Sequence, residues 1–393
     1  MNALMQWLRP KRDGGETALA RKSAGWPFVA LHGPAPANWS PGMQAALARE
    51  GFMRNPVVYR CVRMVAETAA SLPFLLYDGE GEIGDHPALE LLRRPNESQA
   101  GQAFMEALYS HLLVSGNAYL QMLALSGEPR ELHLLRPDRM EVKEAGDAFA
   151  YEYGSGADRI SLSAEGEAAQ LLHLKLFNPL DDIHGLPPLN AAHMALDIHN
   201  AASRWNKALL DNSARPSGAL VYLAADGANL TEEQFERLKG ELEEGYSGAS
   251  RAGRPMLLEG GLDWKAMGYS PRDMDFMQAK NGAARDVALA FGVPPMLLGI
   301  PGDNTYANFR EANSALWRHT VLPLASRVAG MLSNWLSQHY RQSLRIDHDR
   351  DGVEALSGDR DGLWKRVNEA GFLTDAEKRQ AVGYGPAPAR NAG

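Results

Sequence analysis

Apolar residues recur every three or four positions in several long segments of this chain, the spacing of a helix with one buried face. In NPVVYRCVRMVAETAASLP (residues 55–73), Asn55 suits an N-cap, Pro56 suits the first helical turn, and Pro73 ends the pattern. The apolar stripe of this segment consists of Val58, Val62, Val65, Ala69 and Leu72. We therefore predict a helix whose stripe packs on a core.

The rest of the first half mixes helical and strand patterns. PFLLYDGEGEI predicts a strand and a turn, and residues 87–115 predict helix interrupted by RRPNES. GNAYLQMLALSGEPRELHLLRPDRMEV predicts strands separated by turns, and further strands are expected between residues 149 and 178. YGSGADR (residues 153–159) predicts a turn. The first half is therefore expected to be an α+β domain.

The second half begins with a strongly amphipathic segment, PLNAAHMALDIHNAASRWNKALLDN (residues 188–212), which predicts one helix. Its apolar stripe consists of Ala191, Ala195, Ile198, Ala202, Trp205 and Leu209. Its polar stripe consists of His193, Asp197, Asn200, Arg204, Lys207 and Asp211. Half of the apolar stripe is alanine, and small residues let helices approach closely, so this face is expected to pack against another helix.

A compact insertion, residues 213–270, is predicted to follow this helix. ARPSGALVYLA predicts a strand, and Gly260-Gly261 predicts a turn between two further strands. LTEEQFERLKGELEEGY predicts a helix in which Thr231 and Gln234 form a capping box. The acidic run of this helix is equally compatible with a solvated face and with an interaction surface.

Another helix is predicted from residue 271 to residue 291, ended by Pro294 and Pro295. Its apolar side holds Phe276, Ala283, Val287 and Ala290. Two helices that bracket an insertion resemble a stalk with a knob at its end. The segment FGVPPMLLGIPGDNTYANF (residues 291–309) then predicts a polar loop, flanked by Gly299 and Gly302.

The last third predicts a long helix and a small helical tail. The apolar positions of the long helix are Trp317, Val321, Leu324, Val328, Met331 and Trp335. Pro323 lies inside this pattern and is expected to kink the helix, because its ring clashes with the preceding turn. A strand and two short helices are predicted to follow, and Thr374 and Glu377 form a capping box for the second helix.

Composition narrows the class of protein. The chain has 393 residues, enough for two or three domains. Its formal net charge is −8, whereas proteins that grip nucleic acid by its phosphates usually carry a basic excess. Cys61 is the only cysteine, so an intramolecular disulfide is impossible. We expect no signal peptide and no membrane span. Residues 1–50, rich in Ala, Gly and Pro, predict a flexible arm.

Motifs for catalysis or metal binding are weak. The chain lacks GxxxxGK[ST], HExxH and GxSxG. DHDRDG matches the opening of a calcium loop with Asp347, Asp349 and Asp351, but its twelfth position is Gly358 where a bidentate Glu is needed, so a polar turn is predicted. His193 and Asp197 lie one helical turn apart without a third ligand. We expect no catalytic site, no metal and no cofactor.

Several motifs, in a fixed order, resemble those of portal proteins of tailed bacteriophages. The resemblance is to the siphophage type with a lambdoid capsid, which includes the portals of phage-derived gene-transfer particles. It covers roughly residues 50–385. The most specific motifs, in chain order, are PNES, SGNAYL, LRPD, ARPSG and FGVPP.

The resemblance implies a structural role and no enzymatic one. Portal subunits form a ring, usually of twelve, at one capsid vertex, and double-stranded DNA passes through it during packaging and ejection without sequence specificity. The implied partners are the major capsid protein, the terminase large subunit and the head–tail connector. The implied location is the virion, after assembly in the bacterial cytoplasm.

The resemblance also assigns parts of the portal architecture to segments of this chain. These are the N-terminal arm (1–50), wing (51–187), first stem helix (188–212), clip (213–270), second stem helix (271–291), tunnel loop region (292–312), long kinked helix of the wing (313–345) and crown (346–393). The expected tunnel loop residues in contact with DNA are Asp303, Asn304, Thr305, Tyr306, Ala307, Asn308 and Arg310. The expected channel-facing stem residues are Arg204, Lys207 and Lys280.

Two other readings remain open from the sequence. The chain is compatible with a head–tail adaptor or another virion binding module, although adaptors are usually much shorter. It is also compatible with a metal-dependent hydrolase that uses His193 and Asp197 or the Asp347–Asp351 cluster.

Overall fold

The computed structural model describes most of the chain between residues 48 and 383. The described residues are 48–79, 81–145, 148–155, 158–164, 169–211, 218–222, 231–234, 236–237, 240, 262–266, 276–301 and 306–383. They all fall in one unit of the chain, residues 39–393.

Helices and strands alternate along this unit. The helices are α1 (Pro56–Ala70), α2 (Pro87–Arg93), α3 (Gly101–Ser115), α4 (Pro188–Ala191), α5 (His193–Asp211), α6 (Phe276–Ala290), α7 (Tyr306–Leu316), α8 (Leu322–Tyr340), α9 (Ser357–Glu369) and α10 (Asp375–Ala381). The strands are β1 (Phe74–Asp78), β2 (Gly81–Glu82), β3 (Asn117–Leu125), β4 (Glu128–Leu135), β5 (Met140–Ala145), β6 (Ala148–Ser155), β7 (Asp158–Leu162), β8 (Leu171–Lys175), β9 (Gly218–Tyr222), β10 (Leu262–Ala266) and β11 (Leu344–His348).

Helix α1 lies at the centre of the main core. Asn55 caps it, because its side-chain oxygen accepts hydrogen bonds from the backbone N–H of Val57 (3.0 Å) and Val58 (3.1 Å). The predicted stripe, Val58 to Leu72, is buried throughout. The helix packs against α3, α6 and α8, so one amphipathic helix connects both halves of the chain.

The described strands form small antiparallel sheets. Their orders are β11-β1-β2, β4-β3-β8, β5-β6-β7 and β10-β9. The turn between β3 and β4 is Ser126-Gly127, both with positive φ, as the predicted turn requires. In the YGSGADR segment, residues 153–155 end β6 and residues 158–159 begin β7, with Ser155 opposite Asp158, and the two residues between them lie outside the described residues.

Strand β11 corrects the predicted start of the crown. It pairs with β1 from Phe74–His348 to Asp78–Leu344. Residues 346–348, predicted to open the crown, therefore belong to a sheet of the first-half α+β region. The C-terminal helices α9 and α10 follow, and the capping box of Thr374 and Glu377 at the start of α10 is present.

The prediction of a single helix over residues 188–212 is wrong, because the structure has two helices, α4 and α5, in this segment. Ala192 leaves the helical conformation (φ −85°, ψ 0°) and separates α4 from α5. The His193 ring atom Nδ1 lies 3.0 Å from the carbonyl oxygen of Asn190, a local bond that competes with helix continuation. The helix that crosses most of this segment therefore begins at His193.

Helix α6 ends at Ala290, one residue before the predicted end at residue 291, but the cause differs from the predicted stop at Pro294 and Pro295. The backbone N–H of Val293 donates to Ala288 (2.9 Å), and that of Gly292 donates to Leu289 (3.0 Å). With φ of +65° at Gly292, these bonds form a Schellman motif. Glycine ends the helix, and the prolines only redirect the chain afterwards.

The long helix starts earlier than predicted, at Tyr306 instead of residue 313, and ends at Tyr340 instead of residue 345. A π-turn, Trp317–Val321, separates α7 from α8 directly before Pro323. Proline has no N–H and crowds the carbonyl four residues back, so the wider winding relieves it. The irregularity expected at Pro323 takes this form.

Other predicted segments lie only partly in the described residues. Of the arm, residues 48–50 are described, and they belong to a π-helical turn, Ala48–Phe52, rather than to a flexible segment. The capping box at Thr231 and Gln234 is present (3.0 and 3.3 Å). The turn predicted at Gly260-Gly261 lies outside the described residues. No described helix is long and apolar enough to cross a membrane.

Candidate functional site

Helices α5 and α6 form a packed pair whose far ends lead into the insertion. Strand β9 follows α5, β10 precedes α6, and the two strands pair antiparallel from Gly218–Ala266 to Tyr222–Leu262. The two helices pack against each other. Their buried apolar residues are mostly small. Among the described side chains these are Ala195, Leu196 and Ala202 on α5 and Ala283, Ala284, Val287 and Ala288 on α6. Small side chains allow this close approach.

The predicted apolar stripe of α5 divides into two faces. Ala195 and Ala202 are buried towards α6 and the core. Ile198 and Trp205, each 46% exposed, lie on the side of the helix next to these buried positions, since residues three apart are neighbours on a helix surface. The outward stripe, defined by exposed apolar residues at spacings of three and four, consists of Ala191 at the end of α4 and Met194, Ile198, Ala201 and Trp205 on α5. A helix face of this kind usually marks an interaction surface.

The predicted channel-facing cations occupy different environments. Arg204 and Lys207 are exposed on α5, and Arg310 is exposed on α7. Lys280 is half-buried on α6, and its charge, together with burial as the larger cause, lowers the pKa of His199. Lys280 therefore lies near the interface of α5 and α6, whereas Arg204 and Lys207 face solvent.

A buried polar cluster that the sequence did not reveal anchors α5. The Asn55 Nδ2 group lies 2.9 Å from His199 Nδ1 and donates to Asn200 Oδ1 at 2.8 Å. Asn200 Nδ2 donates to the carbonyl of Glu50 at 3.3 Å. Because the pKa of His199 is lowered, a neutral ring can accept at Nδ1. The cluster fixes α5 to the cap of α1, and only Asn55 gave a sequence signal.

The predicted tunnel loop has a fixed beginning. The turn Pro295–Leu298 packs Leu297 and Leu298 against the main core, and Arg285 of α6 donates to the carbonyl of Pro301. Ile300 is buried. Residues 295–301 are therefore held by the core and by α6, and the backbone turns at Gly299, whose φ is +72°.

The remaining tunnel loop prediction is partly corrected. Asp303, Asn304 and Thr305 lie outside the described residues. The other predicted loop residues, Tyr306, Ala307, Asn308 and Arg310, lie in α7, so they are helical rather than part of a loop. Helix α7 continues to Leu316 because residues 306–316 carry no proline or glycine that would stop it.

Neither cluster proposed for a metal is assembled in the described part of the chain, where no group of three or more His, Cys, Asp or Glu side chains converges. Asp347 pairs with Arg345 (3.2 Å) and Arg350 (3.7 Å). Asp349 Oδ1 accepts from the backbone N–H of Asp351 at 2.9 Å. Asp347 and His348 end β11, and only the following residues, 349–352, are the local polar turn that was predicted.

Comparison with known proteins gives one consistent answer. The family model described as phage portal protein matches residues 56–383. The portal protein of Enterobacteria phage HK97 is 27% identical over 86% of this chain and 81% of its own. The neck of an empty gene transfer agent (GTA) particle contains a chain with 50% identity and a TM-score of 0.72, covering 89% of this chain and 95% of that one.

A second solved structure, the neck of a native GTA particle computed with C12 symmetry, is 49% identical with a TM-score of 0.70, covering 89% of this chain and 96% of that one. The resemblance and the α+β fold predicted from the sequence are confirmed by these matches. The chain belongs to the phage portal protein family.

Proposed function

We propose that copies of this chain form a ring at one capsid vertex of a phage or phage-derived particle, and that double-stranded DNA passes through its axis during packaging and ejection. The family match supports this role, and the C12 symmetry of the similar GTA neck supports twelve subunits. The role is structural rather than catalytic. The ring would work in the virion, after assembly in the bacterial cytoplasm.

The outward stripe on α5 is the observation that carries the ring. In a closed ring each subunit contacts two neighbours through two different surfaces. Met194 (62% exposed) and Ile198 on α5, and Leu289 (77% exposed) on α6, leave apolar surface on the helix pair of the isolated chain. Packing of this pair between two neighbours would bury that surface.

The architectural parts follow from this arrangement. Helices α5 and α6 are the proposed stem, and the insertion 213–270 is the proposed clip. The region 51–187, with β11 and α8, is the proposed wing, and α9 with α10 is the proposed crown. The clip and crown are candidate surfaces for the terminase large subunit and the head–tail connector, and the wing for the major capsid protein.

Passage of DNA favours weak contact. Each neutralised phosphate adds affinity, so a channel should carry isolated cations rather than a basic patch. Arg204, Lys207, Lys280 and Arg310 are proposed for this role in a chain of net charge −8. The segment 303–305 and the start of α7, residues 306–310, are the proposed DNA-contacting tunnel loop region.

Ring assembly is tested by Ile198→Asp. Burial of an isoleucine side chain contributes about 1.5–3 kcal/mol, so each subunit contact should weaken by about tenfold or more. Analytical ultracentrifugation and negative-stain microscopy should show rings for the native chain and mostly monomers for the variant. Circular dichroism provides the control for folding. Rings formed by Ile198→Asp as readily as by the native chain would exclude this face as the contact.

DNA handling is tested separately by Arg204→Glu, an exposed position on another face of α5. We expect rings of normal size, because the outward stripe is unchanged. The amount of nuclease-protected DNA per particle should differ from that of native particles, since a negative charge in the lumen repels phosphate. Unchanged rings together with unchanged DNA would remove Arg204 from the channel.

A further inference from the structure

The π-turn Trp317–Val321 joins two helices that are held very differently. Helix α8 buries seven residues, Ala325, Val328, Ala329, Leu332, Ser333, Trp335 and Leu336. In α7, of the described side chains 308–316, Ser314 and Leu316 are buried. Helix α8 is therefore fixed in the core, whereas α7 buries few of its described side chains. The π-turn lies at the boundary between the two helices.

Pro323 keeps the irregular winding at this position. The backbone N–H of Leu322 donates to the carbonyl of Trp317, five residues earlier. An α-helical turn here would bring the ring of Pro323 against the carbonyl of His319, and Pro323 has no N–H to donate to it. The turn is a built-in interruption, and π-turns often occur at functional positions.

The C-terminal segment contacts both α7 and the π-turn. The Ser314 hydroxyl donates to the carbonyl of Ala355 at 2.7 Å. Arg318 donates from Nε and Nη2 to the two carboxylate oxygens of Asp359 on α9, both at 2.7 Å. Ser314 and Arg318 are four residues apart and thus share one helix face.

A third contact connects the same turn to the end of α6. The Thr320 hydroxyl donates to the carbonyl of Gly292 at 2.6 Å. A Cβ atom at Gly292 would lie 2.5 Å from Thr320 Oγ1, so glycine is needed for this approach. The π-turn thus contacts the proposed stem through Thr320 and the proposed crown through Arg318.

We propose that the π-turn is a hinge, and that the C-terminal segment, residues 355–359, sets the orientation of α7 relative to α8 by holding Ser314 of α7 and Arg318 of the π-turn. An exposed ion pair usually contributes little, but a bidentate arginine–carboxylate pair is the favourable exception. Helix α7 carries Asn308 and Arg310, so the hinge would couple the C-terminal helices to proposed channel positions. That last step rests on the proposed function, whereas the hinge itself does not.

Hydrogen exchange of the full chain before assembly, read by mass spectrometry, tests the hinge. Asp359→Ala should accelerate exchange of the α7 amides about fivefold, and leave α8 unchanged, because one of the two links that hold α7 and the adjoining π-turn is lost. Ser314→Ala should act in the same direction. The matched control is Lys143→Ala, which breaks exposed pairs with Glu141 (3.3 Å) and Glu152 (3.1 Å) in the sheet β5-β6-β7 and should change neither helix.

The charge swap Arg318→Asp with Asp359→Arg decides whether the pair itself transmits the effect. Restored protection of α7 in the swap supports the hinge. The hinge would be overturned if faster exchange in Asp359→Ala and Ser314→Ala were confined to residues 355–369. It would also be overturned if the charge swap did not restore the protection of α7. Because exchange is measured on the unassembled chain without DNA, failure of the ring or channel proposal gives a different result from failure of the hinge.

Discussion

At the scale of single residues, Gly292 has the most constrained backbone position in the candidate site. Its φ of +65° lies in the left-handed region, and its N–H helps to end α6. Its carbonyl accepts from Thr320. A side chain here would both strain the backbone and displace Thr320, so the requirement for glycine has two independent causes.

Gly292→Ala should therefore destabilise the fold by about 1–2 kcal/mol from the left-handed backbone alone. Gly330→Ala is the matched control, because Gly330 lies inside α8. A Cβ atom at this position would have no atom within 4 Å apart from the nearby backbone of its own helix. That change should stabilise the protein by about 0.5–1 kcal/mol. Urea unfolding at one fixed protein concentration compares the two, and shifts of the same sign would contradict this account.

At the scale of elements, local patterns predicted what depends on local chemistry. The stripe and cap of α1, the hairpin turns and the capping boxes were predicted correctly because a few neighbouring residues determine each of them. The outward and buried faces of α5 were not separated. Alanine carries little information about which side is buried, and α6, which covers one side, is distant in sequence.

The errors at element boundaries have a similar origin. The end of α6 was predicted to within one residue, but its cause was assigned to Pro294 and Pro295 instead of Gly292, a residue type that commonly ends helices. Pairing of β11 with β1 and the bond between Asn55 and His199 join residues more than 140 positions apart. No periodic pattern predicts such partners, so the candidate site was predicted as segments rather than as contacts.

At the scale of the whole molecule, buried histidines connect the fold to pH. Burial lowers the pKa of five histidines in the described residues, namely His111 (to about 4), His173 (to about 3), His199, His339 and His348. They are distributed over both halves of the chain. In the unfolded chain each has a pKa of about 6.5. Below that pH the unfolded state binds more protons than the folded state.

The free energy of unfolding should therefore fall as the pH decreases from 7 to 5, by about 1.4 kcal/mol per pH unit for each strongly shifted histidine. The Ile198→Asp variant, expected to remain unassembled, allows urea midpoints to be compared at one concentration without the contribution of ring formation. Adding His111→Gln should reduce the slope by about one proton, because a permanently neutral side chain replaces one that is protonated only when unfolded. A urea midpoint that does not change between pH 7 and pH 5 would show that these histidine side chains are protonated equally in the folded and unfolded states.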